Sequence, residues 1–149
     1  MTLETISVTG PTPGAGGMIH ATSVECAGNG VLILGQSGSG KSALALEMMA
    51  YGATLVADDK TKIVVDDGRL VASAPATIQG KIEARFVGIL RACDAGPTPI
   101  ALVVDMNREE DQRLPPHREI ILLGKSLPLL HYSTRRHFPA AILQILKTA

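Results

Sequence analysis

Apolar positions change period several times along the chain, and each change marks a predicted element. Residues 19–26 read as a strand, and the run Val31-Leu32-Ile33-Leu34 reads as a buried one. Gly28-Asn29-Gly30 between them supplies a turn, so the pair predicts a hairpin. Residues 42–50 take helical spacing, and Gly52 ends that helix. The run 54–57 returns to the sheet and delivers Asp58-Asp59 at its C-terminal edge. Residues 62–65 and 69–72 flank Asp66-Asp67-Gly68, which predicts a second hairpin, expected as a small antiparallel appendage. A β-branched and aliphatic run at 100–104 ends at Asp105. The charged, proline-containing stretch 107–118 follows as loop or short helix. Runs at 119–123 and 127–130 predict two short strands. Phe138, Ile142, Ile145 and Leu146, with Pro139 near the start, predict a closing amphipathic helix whose stripe belongs to the core.

Residues 10–17 alternate Pro and Gly too densely for regular structure, so 1–17 is expected as a flexible lead-in and 18–149 as a single domain. The predicted fold class is α/β, with flanking helices packed on a mixed sheet.

Composition narrows the function classes. At 149 residues and 46% hydrophobic, the chain can bury one core but not two ordinary ones. Fourteen basic residues balance fourteen acidic ones, so no positive field points to nucleic acid or an anionic membrane. Cys26 and Cys93 stand far apart without metal-like spacing, which suits buried thiols in a reducing compartment. The start MTLETISVTG lacks a secretory pattern, and no apolar run has the length of a membrane span. A cytoplasmic protein is expected.

The chemistry concentrates at Gly35-Gln36-Ser37-Gly38-Ser39-Gly40-Lys41-Ser42, a complete G-x-x-x-x-G-K-[ST] string between a predicted strand and a predicted helix. Glycines there let backbone N–H groups turn inward, and the helix N-terminus adds partial positive charge where a phosphate would sit. Lys41 can reach β- and γ-phosphates, and Ser42 can ligate Mg²⁺. A nucleotide such as ATP is therefore the expected ligand of this P-loop. Asp58-Asp59 and Asp105 both end strands, and either could position the magnesium. The adjacent pair can point one carboxylate at the metal and the other at an acceptor hydroxyl whose proton must be taken. His20, on the strand before the loop, would lie close. Glu83 and Arg85 share one face of an extended segment, compatible with a metal ligand beside a phosphate-neutralising cation.

The order His20-Ala21, residues 28–33, GQSGSGKS, Leu44-Ala45-Leu46-Glu47, Gly52 and LVADD at 55–59 resembles the catalytic domain of the HPr kinase/phosphorylase family, in its short alphaproteobacterial form. Residues 82–89 resemble the family's second signature, E-x-R-G-x-G, with Phe86 at its glycine. Ala43 stands where a glutamate usually follows the GKS. On this resemblance the chain is expected to lack the family's separate N-terminal domain and to carry a reduced C-terminal region. The resemblance implies a phosphoenolpyruvate-carboxykinase-like nucleotide site and a serine kinase of the phosphocarrier protein HPr, with phosphorolysis to pyrophosphate as the reverse reaction. It makes Lys41 and the loop backbone the phosphate cradle. Ser42 and Glu83 become the metal ligands, with Asp59 in a positioning role beside them. Asp58 becomes the acid/base, supported electrostatically by His20. Arg113 is the local match to a later family arginine. Full-length relatives are hexamers, which implies a homo-oligomer. A small-molecule kinase or NTPase, and a nucleotide-sensing module without transfer activity, are the alternatives.

Overall fold

The computed structural model describes residues 4–149. Its strands are β1 (Thr5–Thr9), β2 (Met18–Cys26), β3 (Asn29–Leu34), β4 (Thr54–Ala57), β5 (Lys60–Asp66), β6 (Arg69–Ser73), β7 (Lys81–Ala84), β8 (Gly88–Arg91), β9 (Thr98–Glu109), β10 (His117–Leu122) and β11 (Lys125–Tyr132). The helices are α1 (Lys41–Ala50) and α2 (Phe138–Lys147). The main sheet runs β1-β10-β11-β9-β3-β2-β5-β6, with β4 also on β2, and a further β6–β9 pairing curls it back on itself. It is mixed: β3 and β11 run parallel to β9, whereas β2 is antiparallel to β3.

Alternation along β3 divides the core. Val31 and Ile33 face α1 and α2, joining Leu44, Met48, Ile142 and Leu146. Leu32 and Leu34 face the other side with Ile19, Val56, Ile63 and Val103. Each fully buried Leu or Ile of this kind contributes about 1.5–3 kcal/mol relative to exposure.

The turns follow local chemistry. Cys26 pairs with Asn29, so Ala27-Gly28 forms the turn, both at positive φ, one step earlier than the sequence suggests. Asp67-Gly68 takes the same geometry as expected.

Four expectations change. The β5–β6 hairpin is no appendage, because β5 pairs with β2 and β6 with β9. The element apart from the main sheet is instead the β7–β8 hairpin. Residues 107–109 continue β9 as strand, leaving only 110–116 as loop. Residues 5–9 of the expected lead-in form an edge strand, parallel to β10 from Thr5↔His117 to Thr9↔Ile121. Their alternating β-branched residues supply the propensity, and β10 supplies the template. Ile145 is the outward member of the α2 stripe, with Leu143 taking its place in the core. No helix among the described residues is long and apolar enough to cross a membrane.

Candidate active site

Three strand ends and one helix start build the site. β3 ends at Leu34, and the chain turns through Gly35–Gly40 into α1. A Cβ at Gly35 would collide with Ser39 and lie 2.9 Å from the Met106 Cβ, so only glycine fits this close approach. Gly40, at φ 97°, turns the loop into the helix through a conformation that L side chains rarely adopt. The loop is tied by Ser39 N–H to Gln36 O at 3.0 Å and by Gln36 N–H to Asn107 Oδ1 at 3.0 Å. Lys41, only 5% exposed, folds its ammonium under the loop and donates to Gly35 O at 2.8 Å and Gln36 O at 3.1 Å. The Ser39 hydroxyl, buried here, has no hydrogen-bond partner in the protein.

β4 brings the two aspartates to opposite fates. Asp58 is buried, and its carboxylate accepts three bonds: Oδ1 from Ser42 Oγ at 2.6 Å and Thr22 Oγ1 at 3.2 Å, and Oδ2 from Glu83 N–H at 2.9 Å. Asp59 is held at φ 65°, and Lys60 N–H bonds back to Asp58 O at 2.7 Å. That i→i+2 bond with positive φ is a γ-turn of the rarer, strained hand. Such strain costs about 1–3 kcal/mol and persists only where surroundings impose it. Here Thr22 Oγ1 accepts Asp59 N–H at 3.1 Å, and Asp59 O accepts Ala21 N–H at 3.1 Å. The turn throws the Asp59 side chain outward, 60% exposed, with Oδ1 4.0 Å from the Lys41 ammonium.

Asp59 stands between two cavities. One, of about 430 Å³, gathers Lys41, Ser42, Asp58, Asp59, Glu83 and Arg85. The other, of about 990 Å³, runs from Gly35–Ser37 and Asp59 past exposed His20 to Asp105, Arg108, Arg118 and His131. The structure thus brings together the loop, both aspartates, His20 and Glu83. It does not bring Arg113, which stands exposed between β9 and β10 and lines neither cavity. Arg85 supplies the cation beside the loop, its guanidinium near Gly38. Asp105 lies within β9 rather than at the strand end expected of it, and its Oδ1 accepts Asn107 N–H at 2.9 Å. Thr22 and Asn107 were missed by the motif. Only the strand register, with Ala21↔Leu34 and Leu34↔Asp105, places them at the loop.

At the far wall Arg118 and Glu110 form an ion pair with both side chains almost wholly buried. Burial opposes ionisation of Glu110, but hydrogen bonds from Arg118 and Gln112 N–H, with the guanidinium charge, outweigh it and lower its pKa. Burial, reinforced by Arg118, lowers the pKa of His131.

Among the described residues no three His, Cys, Asp or Glu side chains form a self-contained metal site. Ser42, Asp59 and Glu83 fit a Mg²⁺ that takes its other ligands from phosphates and water, which is how that ion usually binds nucleotides. The inward-turning loop with the Lys41 ammonium beneath it fits a polyphosphate.

These features define a mixed α/β domain with a glycine-rich loop between β3 and α1 that opens onto a charged cavity. The family profile described as the HPr Serine kinase C-terminal domain matches residues 15–113, and the chain belongs to that family. The HPr kinase/phosphorylase of Caldicellulosiruptor bescii is 40% identical, over 74% of this chain and 40% of the relative. That of Caldanaerobacter subterraneus subsp. tengcongensis is 48% identical, over 48% of this chain and 24% of the relative. The chain therefore spans two fifths or less of the length of these relatives. The Hpr(Ser) kinase/phosphatase structure from Coxiella burnetii superposes with a TM-score of 0.75 over 88% of both chains at 24% identity, a likeness of fold.

Proposed function

We propose that this chain is a Mg²⁺- and ATP-dependent protein kinase that phosphorylates a serine of HPr, and that it also runs the phosphorolytic reverse reaction. The family membership and the names of the relatives support the reaction class. The observation that carries the chemistry is the position of Asp59, an exposed carboxylate beside Lys41 at the junction of the phosphate cavity and the larger one.

On this reading the loop N–H groups and Lys41 hold the donor phosphates. Bound Mg²⁺ would neutralise phosphate charge, held through Ser42 with Glu83 and Asp59 at hand. Asp58 keeps Ser42 and the Glu83 backbone in place through three accepted bonds, whereas the Asp59 side chain stands outward and free to meet an acceptor. The acid/base role therefore passes from Asp58 to its neighbour. Asp59 accepts the proton of the acceptor hydroxyl as the serine oxygen bonds to the γ-phosphorus and the bond to the β-phosphate oxygen breaks, releasing ADP. In reverse, the protonated Asp59 returns that proton to the serine oxygen while inorganic phosphate takes the phosphoryl group, giving pyrophosphate. His20, in the same larger cavity, supports the Asp59 charge. We assign the larger cavity to the acceptor and the action to soluble HPr in the cytoplasm.

Mass spectrometry of HPr incubated with the protein, Mg²⁺ and ATP tests this. One phosphoryl group on a serine, removed again by added phosphate with release of pyrophosphate, is expected. Unmodified HPr in the presence of bound ATP would refute the proposal.

A further inference from the structure

The phosphate cavity opens into a third space at the other end of the loop. This cavity, of about 390 Å³, lies between the start of α1 and the β11–α2 connection, and it shares Gly40 and Ala43 with the phosphate cavity. A polyphosphate lying along the loop has a direction. Lys41 marks its β/γ end, and Lys41 sits 4.0 Å from Asp59, which faces the largest cavity. The opposite end leaves the loop at Ala43, the first exposed helix position after Ser42. Resting on the phosphate-site reading above, we propose that the third cavity seats the nucleoside of the donor and that Arg135 and Arg136 cover its base.

The wall chemistry suits a planar base on a sugar. Tyr132 is fixed edge-on against Phe138, with ring centroids 6.0 Å apart and planes at 85°. Tyr51, 64% exposed, caps the C-terminus of α1, and Arg135 and Arg136 are exposed on the connection. Guanidinium and phenol rings stack on flat π-systems. Ser133, Thr134 and Glu47 add hydroxyl and carboxylate groups for base edges and ribose hydroxyls. The volume falls within the roughly 300–1,000 Å³ of small-ligand sites. The arginines and tyrosines make the cavity tolerant of any base, since stacking reads a π-face rather than an edge.

Calorimetry with ADP and with inorganic tripolyphosphate, on the whole chain and on its Arg135→Lys/Arg136→Lys variant, separates the pieces. Both side chains are exposed, and the change keeps their charge while removing the planar stack. ADP should bind about three- to tenfold more weakly to the variant, with tripolyphosphate affinity unchanged. Equal effects on both ligands, or none on ADP, overturn the proposal while leaving the phosphate site intact. Failure of the unaltered chain to bind either ligand would instead refute the phosphate-site reading, and this proposal with it. Independently, light-activated 8-azido-ADP should label Tyr51 or residues 132–136. Labelling of His20 or residues 6–12 in the largest cavity would place the base there and contradict the proposal.

Discussion

Ser42 donates its hydroxyl hydrogen to Asp58 across 2.6 Å, one of three bonds that hold this carboxylate inward while its neighbour Asp59 turns out. Asp58→Asn removes the negative charge that gathers Ser42, Thr22 and the Glu83 backbone, and it presents an NH₂ group where acceptors are needed. The variant should lose about 1–3 kcal/mol of stability, read as a lower melting temperature. Its Mg²⁺-dependent nucleotide binding should weaken in the same measurement series, followed by calorimetry with and without the ion.

Lys41 gives its buried ammonium to two loop carbonyls that a bound phosphate would compete with. Lys41→Met should therefore keep the fold but lose one charge-assisted contact to the donor. About 1.5–3 kcal/mol is at stake, roughly 10- to 150-fold in the ATP dissociation constant. Titration by calorimetry checks it, and unchanged affinity would remove Lys41 from the phosphate site.

The Arg118–Glu110 pair gives the acid limb of stability a definite shape. His131 and Glu110 both have folded pKa values below their ordinary 6.5 and 4.5. The unfolded chain thus binds more protons in both windows, and stability rises with pH through each. The His131 contribution is complete above about pH 6.5 and lost as pH falls toward its folded value. The Glu110 contribution is complete above about pH 4.5 and lost below it. Melting temperatures should be flat above neutrality and fall in two steps on acidification. Glu110→Gln strips the counter-charge from Arg118 at the cavity wall and should cost about 1–3 kcal/mol near neutral pH.

At the rim of the largest cavity Gly10 follows β1, and a Cβ there would run into the Leu122 side chain. Gly10→Ala should cost about 1–3 kcal/mol through overpacking, or about 2–4 °C in melting temperature for each kcal/mol in a domain of this size. Phe86→Gly should act in the opposite direction. Phe86 holds φ 65° at the tip of the β7–β8 hairpin with its ring fully in solvent, so the exchange relieves strain without losing packing. A calorimetric scan of both variants tests the pair.

What the sequence reveals here follows the range of the interactions. The phosphate loop is legible because the requirements for glycine at 35 and 40 and for Lys41 are local. The D-G turn at Asp67-Gly68 is legible for the same reason. Its attachment to β2 and β9 is not, since residues far along the chain supply those pairings. The edge strand β1 is hidden likewise, as its partner lies beyond residue 116. At the site, alternation correctly separates Asp58 from Asp59, but the γ-turn that pins one and frees the other depends on Thr22 and Ala21 across the sheet. The local likeness at Arg113 does not carry it to the loop, since the β9–β10 connection holds it outward, while Arg85 reaches the loop from the turn after β7.

On the proposed mechanism Asp59 accepts the serine proton beside a loop-bound donor. Single-turnover transfer from labelled ATP to HPr, compared between the unaltered chain and Asp59→Asn with ATP binding measured in parallel, tests it most directly. The account predicts near-normal binding and a rate about 10²–10⁴-fold lower in the variant. An undiminished rate in Asp59→Asn, or no transfer by the unaltered chain while it binds ATP, would contradict it.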